Sequence, residues 1–225
     1  MSLPNETTQL LPRFGTALAD HAAEFNLELS SAAAASLQSY YALLLKWNAR
    51  LHLVGPCSPE EFATRHVLES LFLLPHLPPD ARVVDIGSGA GLPMIPCLIV
   101  RSDLRATLIE SSRRKTVFLS EALRVAETQD RAQVIAARFE STPAPEAGFV
   151  TSRALDRFEK MLPALIEWAP PESTLLIYGG EGLRRKVESY LPSARAQLIP
   201  RSDCRFLIRA KVKDVSGAQV GNVQI

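Results

Sequence analysis

The segment Val83–Pro93, VVDIGSGAGLP, decides how the rest of the chain is read. A short apolar, β-branched run ends in Asp85, and Gly87, Gly89 and Gly91 follow at alternate positions with Ser88 between the first two. Glycine accepts left-handed backbone and lets a ligand lie close to the main chain. A strand running into such a turn is the nucleotide-binding corner of an α/β sheet. The nicotinamide fingerprint G-x-G-x-x-G is not met, because Leu92 stands where its third glycine belongs, and the Gly-Lys-Ser/Thr of a Walker A loop is absent.

Glu110 closes the next apolar run, RATLIE. A carboxylate at the end of the second strand accepts from both hydroxyls of a ribose, while the glycines lie against the rest of a nucleoside. S-adenosylmethionine fits this pair better than a dinucleotide, since no pyrophosphate has to be housed. The competing reading is an ordinary turn in an α/β domain, and Glu110 in register with the loop counts against it. Phe139 and Glu140, after the third apolar run, stand where an adenine would be flanked and hydrogen-bonded. Taken alone, Phe139 reads as core and Glu140 as a solvated charge.

Outward from the loop, strands and helices alternate. ARVVDI, RATLIE, AQVIAA, GFVTS and STLLIYG read as strands, with ARAQLIP and RFLIRAKV closing the sheet. Helices are expected over Ser112 to Glu127, Leu155 to Trp168 and Gly182 to Leu191. That alternation means a mostly parallel α/β sheet. Before it, residues 1–78 read as a helical segment, with Leu37, Tyr40, Tyr41, Leu44, Leu45 and Trp47 at helical spacing. Ser58, Pro59 and Glu61 spell a capping box, and Phe62, His66, Glu69 and Leu73 then share a stripe. Pro75, Pro78 and Pro79 mark the boundary to a domain over 79–213, and 214–225 reads as a loose tail.

The bulk properties restrict the function. With 25 Lys and Arg against 24 Asp and Glu, the net charge is +1, so any nucleic-acid surface is local. Cys57, Cys97 and Cys204 form no C-x-x-C and the four histidines are scattered, which argues against disulfides and a zinc site and for a reducing, cytoplasmic setting. Neither a secretory signal nor a membrane span is expected.

In its order of motifs the chain resembles the bacterial 16S ribosomal RNA guanine-N7 methyltransferases, also called glucose-inhibited division protein B. The resemblance covers roughly residues 35 to 210 and rests on LLLKWNARLHLV, RHVLESLFLLPHL, VVDIGSGAGLPMIP, LIESSRRKTVFL and TSRAL. It implies a class I methyltransferase fold, Rossmann-like, with a seven-stranded sheet and a helical N-terminal segment. It implies S-adenosylmethionine as cofactor, contacts from Gly87, Leu92, Phe139, Glu140 and Arg153, and 16S ribosomal RNA or the small subunit as partner to a monomer. The chain departs from the family pattern at His52, Val54, Glu69 and Met94. Guanine N7 carries an in-plane lone pair and no proton, so alignment and electrostatics suffice and no catalytic base is expected. Arg153 is the one side chain with a possible direct role, on the cofactor carboxylate, a phosphate or guanine O6; pairing with Asp156 is its plain alternative. For RNA, Arg113, Arg114 and Lys115, Arg157, and Arg184, Arg185 and Lys186 are candidates, the two triplets at helix starts on the ligand edge of the sheet. A solvated face explains each triplet equally well, and His66, beside Arg65, reads as a core histidine ahead of a place near the cofactor mouth.

Three other readings stay open from the residues: a class I methyltransferase for a small molecule or a protein, a non-catalytic ribosome-binding protein, and, distantly, a dehydrogenase.

Overall fold

The computed structural model describes residues 5–153 and 158–212. Arg157, Asp156 and the expected tail over 214–225 lie outside the described residues. The seven strands are β1 (Arg82–Ile86), β2 (Arg105–Ile109), β3 (Ala132–Ile135), β4 (Phe149–Ser152), β5 (Thr174–Gly179), β6 (Arg195–Leu198) and β7 (Phe206–Lys211). They form one sheet in the order β3-β2-β1-β4-β5-β7-β6, with β7 antiparallel to both its neighbours and β1 to β5 parallel. This is the mostly parallel α/β sheet expected from the alternating pattern, in the class I methyltransferase topology that the family resemblance implies.

The central strands are apolar on both faces because both faces are covered. Val83, Leu108, Leu176 and Tyr178 pack into one core; Val84, Ile86, Ile109, Leu175 and Ile177 point the other way into a second. Helices α7 (Phe158–Trp168) and α8 (Glu181–Tyr190) cover the second face. The first face carries the N-terminal helices α1 (Asn5–His21) and α2 (Ser31–Leu51), a third helical stretch, and α5 (Met94–Val100) and α6 (Arg113–Val125). The N-terminal helices therefore share an apolar core with the sheet.

The third stretch starts as α3 (Pro59–Glu61), widens into a π-helix over Phe62–Leu68 and ends as α4 (Glu69–Leu71). Ser58 caps it by accepting from the Glu61 amide at 3.1 Å. The expected capping box is half made: the Glu61 carboxylate takes Arg65 at 2.9 Å, one turn on. π-helical turns are rare and recur at functional sites. Here the wide turn carries His66 and presents the carbonyls of Arg65 and His66 to Arg153.

Trp47 anchors α2 on α6. Its indole N–H donates to Glu121 at 3.1 Å and its ring meets Phe118 edge-on at 6.1 Å. Phe62 is the centre of the helical packing. It is fully buried, stacks on Tyr41 at 4.6 Å and lies 5.9 Å from Phe14 and 5.2 Å from the His66 ring. Phe62→Ala should destabilise the protein by about 3–5 kcal/mol, the cost of emptying an aromatic core site. Urea unfolding checks this, and a loss below about 1 kcal/mol would mean the neighbouring rings close the gap.

Candidate active site

Strand order reverses beside β1, which has β2 on one side and β4 on the other. At such a switch point the loops leaving the two strands diverge and open a crevice at their carboxyl ends. A cavity of about 910 Å³ lies there. One wall is the glycine loop, Gly87 to Ala90 with Leu92; the next is Glu110, Ser111, Ser112 and Lys115 after β2; a third is Ala137 to Glu140 after β3. Arg153, Lys160 and Met161 follow β4, and Leu53, Val54 and His66 come from the helical region.

The glycines divide their work. Gly87, Gly89 and Gly91 have φ of 69°, 52° and 83°, the left-handed region where a side chain is strained. Gly91 does not line the cavity: a Cβ there would run into Ile95, so it serves the seating of α5. Around Gly89 there is room, and its amide donates to Glu110 Oε2 at 2.9 Å. The other Glu110 oxygen accepts from the Ser112 amide at 2.7 Å. Glu110 thus ties the glycine loop to the start of α6 while its carboxylate edges the cavity, where sequence reasoning expected a ribose.

Asp85, expected beside the ligand, lies behind the loop and is fully buried. Ser88 Oγ donates to its main-chain carbonyl at 3.0 Å, and neither carboxylate oxygen has a hydrogen-bond partner among the described residues. Burial pushes its pKa up to about 8, with Glu110 adding to the rise. An orphaned buried carboxylate under a nucleoside-type loop fits a site meant to receive a cationic ligand group. Phe139 is both core and cavity wall, meeting Trp168 edge-on at 5.5 Å, and Glu140 is exposed at the rim.

Arg153 lines the cavity, yet its guanidinium is engaged by protein. It donates to the His66 carbonyl at 2.8 Å, to Ser70 Oγ at 3.0 Å, to the Arg65 carbonyl and to Glu69 Oε2 at 3.1 Å. Glu69 is 2% exposed and takes a second arginine, Arg205, on Oε1 at 2.9 Å. Sequence reasoning singled out Glu69 only as a departure and missed Arg205 entirely. Tyr178 completes the knot, donating to the Glu69 and Ser70 carbonyls at 3.0 Å with its ring 5.7 Å from the Arg153 guanidinium. The other departures are accommodated locally. His52 caps α2 in left-handed backbone, Val54 is held by Asn48, and Met94 is buried at the start of α5.

The two basic triplets separate. Arg113 and Arg114 are exposed and make no side-chain bond to a described residue, and Lys115 lines the cavity. Arg184 is committed to Glu181 at 2.6 Å and Glu188 at 2.8 Å, and Arg185 to Glu181 at 2.9 Å. The two arginines hold the Glu181 carboxyl down at about 2. Lys186 sits 5.4 Å from the Tyr190 ring. Cations in the first turn of a helix face the positive end of its dipole, and in α8 the acid at the first position, Glu181, offsets this. Cavity residues that sequence reasoning did not select include Leu53, Val54, Ser111, Arg138, Lys160 and Met161. They come from four different loops or helices and carry no shared motif.

Residues 33–198 match the family described as GidB, rRNA small subunit methyltransferase G. The chain belongs to this family. Among curated members it is 42% identical over 147 residues to ribosomal RNA small subunit methyltransferase G of Acidiphilium cryptum, covering 64% of this chain and 64% of that one. It is 43% identical over 129 residues to the protein of the same name from Xanthomonas axonopodis pv. citri, covering 57% of this chain and 60% of that one. The matched part thus spans less than two thirds of these relatives' length. Among solved structures, an RNA methyltransferase from Salinibacter ruber in complex with S-adenosyl-L-homocysteine superposes with a TM-score of 0.51 at 16% identity, over 76% of this chain and 100% of that one. A tRNA (m1A58) methyltransferase from Aquifex aeolicus gives 0.52 at 11% identity, over 65% and 68%. These two likenesses show the fold alone. Among the described residues no helix is long and apolar enough to cross a membrane.

The buried Asp85 makes a pH prediction. Its folded pKa, about 8, lies above that of an exposed aspartate. The unfolded chain therefore releases this proton first, and the contribution of Asp85 to stability, fully present below about pH 4, is lost as pH rises through about 8. Asp85→Asn should leave the ligand-free protein more heat-resistant than wild type at pH 8, with the difference shrinking toward pH 5. Melting curves check it, and a variant destabilised equally at both pH values would show that the carboxylate is ionised and paired.

Proposed function

We propose that this protein transfers a methyl group from S-adenosylmethionine to N7 of a guanine in 16S ribosomal RNA; its curated relatives are named ribosomal RNA small subunit methyltransferase G. The observation that carries the reading is the cavity at the β1/β4 switch, walled by the glycine loop and Glu110, in a chain of the methyltransferase G family. Bound there, S-adenosylmethionine supplies a methyl on a positively charged sulfur. Gly87, Ser88, Gly89 and Leu92 offer backbone to it, Glu110 accepts from the ribose, and Phe139 and Glu140 border the adenine. Asp85 acts from behind the loop on its ammonium, with Gly91 setting the loop's path. Arg153 shapes the inner wall.

The chemistry asks for no base. The N7 lone pair forms the new bond to carbon, the C–S pair stays with sulfur, and the product is a cationic 7-methylguanine with no proton moved. Alignment and field are what the protein has to provide. For the RNA, Arg113, Arg114 and Lys115 are the preferred phosphate contacts because they are free to make them. Arg184 and Arg185 already face acids, and Lys186 is the remaining cation of that triplet. A monomer working in the cytoplasm on the small subunit or its RNA completes the proposal.

The test uses the fixed charge of the product. Borohydride followed by aniline cuts RNA at 7-methylguanine. Small-subunit RNA from cells lacking the protein should lose one cut, and re-expression should restore it. A cut present in both strains, or labelled methyl on protein or a small metabolite, would contradict the proposal.

A further inference from the structure

One wall of the cavity is left over once the cofactor is assigned. Leu53, Val54 and His66 come from the helical region before β1 and face the same space as the glycine loop. The first two are placed by Asn48, whose side chain accepts from the Val54 amide at 2.9 Å and donates to its carbonyl at 3.1 Å. His66 is the polar group of this wall. Its ring lies against Phe62, and its carbonyl is gripped by Arg153. Its ring nitrogens make no hydrogen bond to a described residue, although the side chain is largely buried. The charged groups about it are Arg65, Arg153 and Arg205, and Glu69, the neighbouring acid, is bound to the last two. Burial and these three cations push the imidazole down to about 3, so it is neutral at working pH and keeps one donor and one acceptor nitrogen.

We propose that this wall is the acceptor-base subsite, with Leu53 and Val54 against the purine and the unprotonated nitrogen of His66 accepting from the N1–H of the target guanine. The inference rests on the N7-methylation reading above. As the N7 lone pair is used, positive charge spreads over the ring and N1–H becomes a stronger donor. An acceptor there gains in the transition state over the ground state, which is what lowers a barrier. An imidazolium would do the opposite, and the surrounding arginines prevent it from forming. Adenine has no N1–H, so the same contact selects the base. His66 is thereby a substrate contact, unlike Arg153, which acts by holding it.

The experiment compares wild type with His66→Ala, His66→Gln and His66→Lys. S-adenosylhomocysteine affinity is measured by calorimetry, and kcat and KM on small subunits from cells lacking the protein. Cofactor-product affinity should be the same in all four, which also shows that they are folded. In the alanine variant kcat should fall about 10- to 100-fold with KM little changed. Glutamine, whose amide oxygen accepts, should regain part of the loss, and lysine should fall below alanine. The wild-type rate should show no histidine titration near pH 6.5. Full activity in His66→Ala, lysine matching glutamine, or S-adenosylhomocysteine affinity lost in step with the rate in His66→Gln would each overturn the subsite. If wild type itself places no methyl on small-subunit RNA, the functional reading fails and the inference with it; an active wild type with a fully active alanine variant removes the inference alone.

Discussion

The fold and the cavity meet at one buried carboxylate. Glu69 ends a π-helical turn and holds Arg153, just past β4, with one oxygen and Arg205, just before β7, with the other. Two charges of one sign on a carboxylate that is 2% exposed are costly to bring out of water, and they are tolerable because every partner is supplied. Arg153 spends its remaining N–H groups on Ser70 and on the carbonyls of Arg65 and His66, and Tyr178 closes over the same turn from β5. Removing one partner of such a pair typically costs about 3–5 kcal/mol, because the others stay buried without compensation. The knot is therefore what locks the helical region onto the sheet in one register.

That lock has consequences for the cavity. Its cofactor walls grow from the sheet: the glycine loop, Glu110 and Phe139 stand at the ends of β1, β2 and β3. Its remaining wall belongs to the helices, which are set against the sheet by the shared apolar core, by the Glu69 cluster, and by Tyr40 Oη donating to the Ala90 carbonyl of the glycine loop at 2.7 Å. Arg153 lines the cavity, and its guanidinium also holds the backbone of His66 in place.

Much of the fold was legible because it is local. Apolar runs of the length of strands, glycine after β1 and proline near helix ends are statements about neighbours in the chain, and the alternation of strands and helices followed. Glu110 was legible for the same reason, being one strand beyond the loop. The knot was not, since Glu69 lies 84 residues from Arg153 and 136 from Arg205, and no spacing rule links them. The position of Asp85 at the end of β1 was visible in the sequence, and its depth behind the loop was not. The α8 triplet is a different lesson: Glu181, Arg184, Arg185 and Glu188 stand at helical i, i+3 and i+4 spacing, so their pairing was available in the sequence. Reading the cations without the acids hid it. Of the helical wall, the sequence offered His66 near the cofactor mouth, but not Leu53 and Val54, which become neighbours of the glycine loop only when the helices pack.

The central claim is that the Glu69 knot, not general helix packing, holds the His66 turn against the sheet. Amide hydrogen exchange on folded Glu69→Gln protein tests it directly. Glutamine keeps the shape but loses the charge, and one of its two ends no longer accepts. The account predicts that amides over residues 62–71 exchange about tenfold faster or more, while those of β1 and β2 keep their protection. Unchanged protection over 62–71 would contradict it and hand the placement of that wall to the apolar core alone.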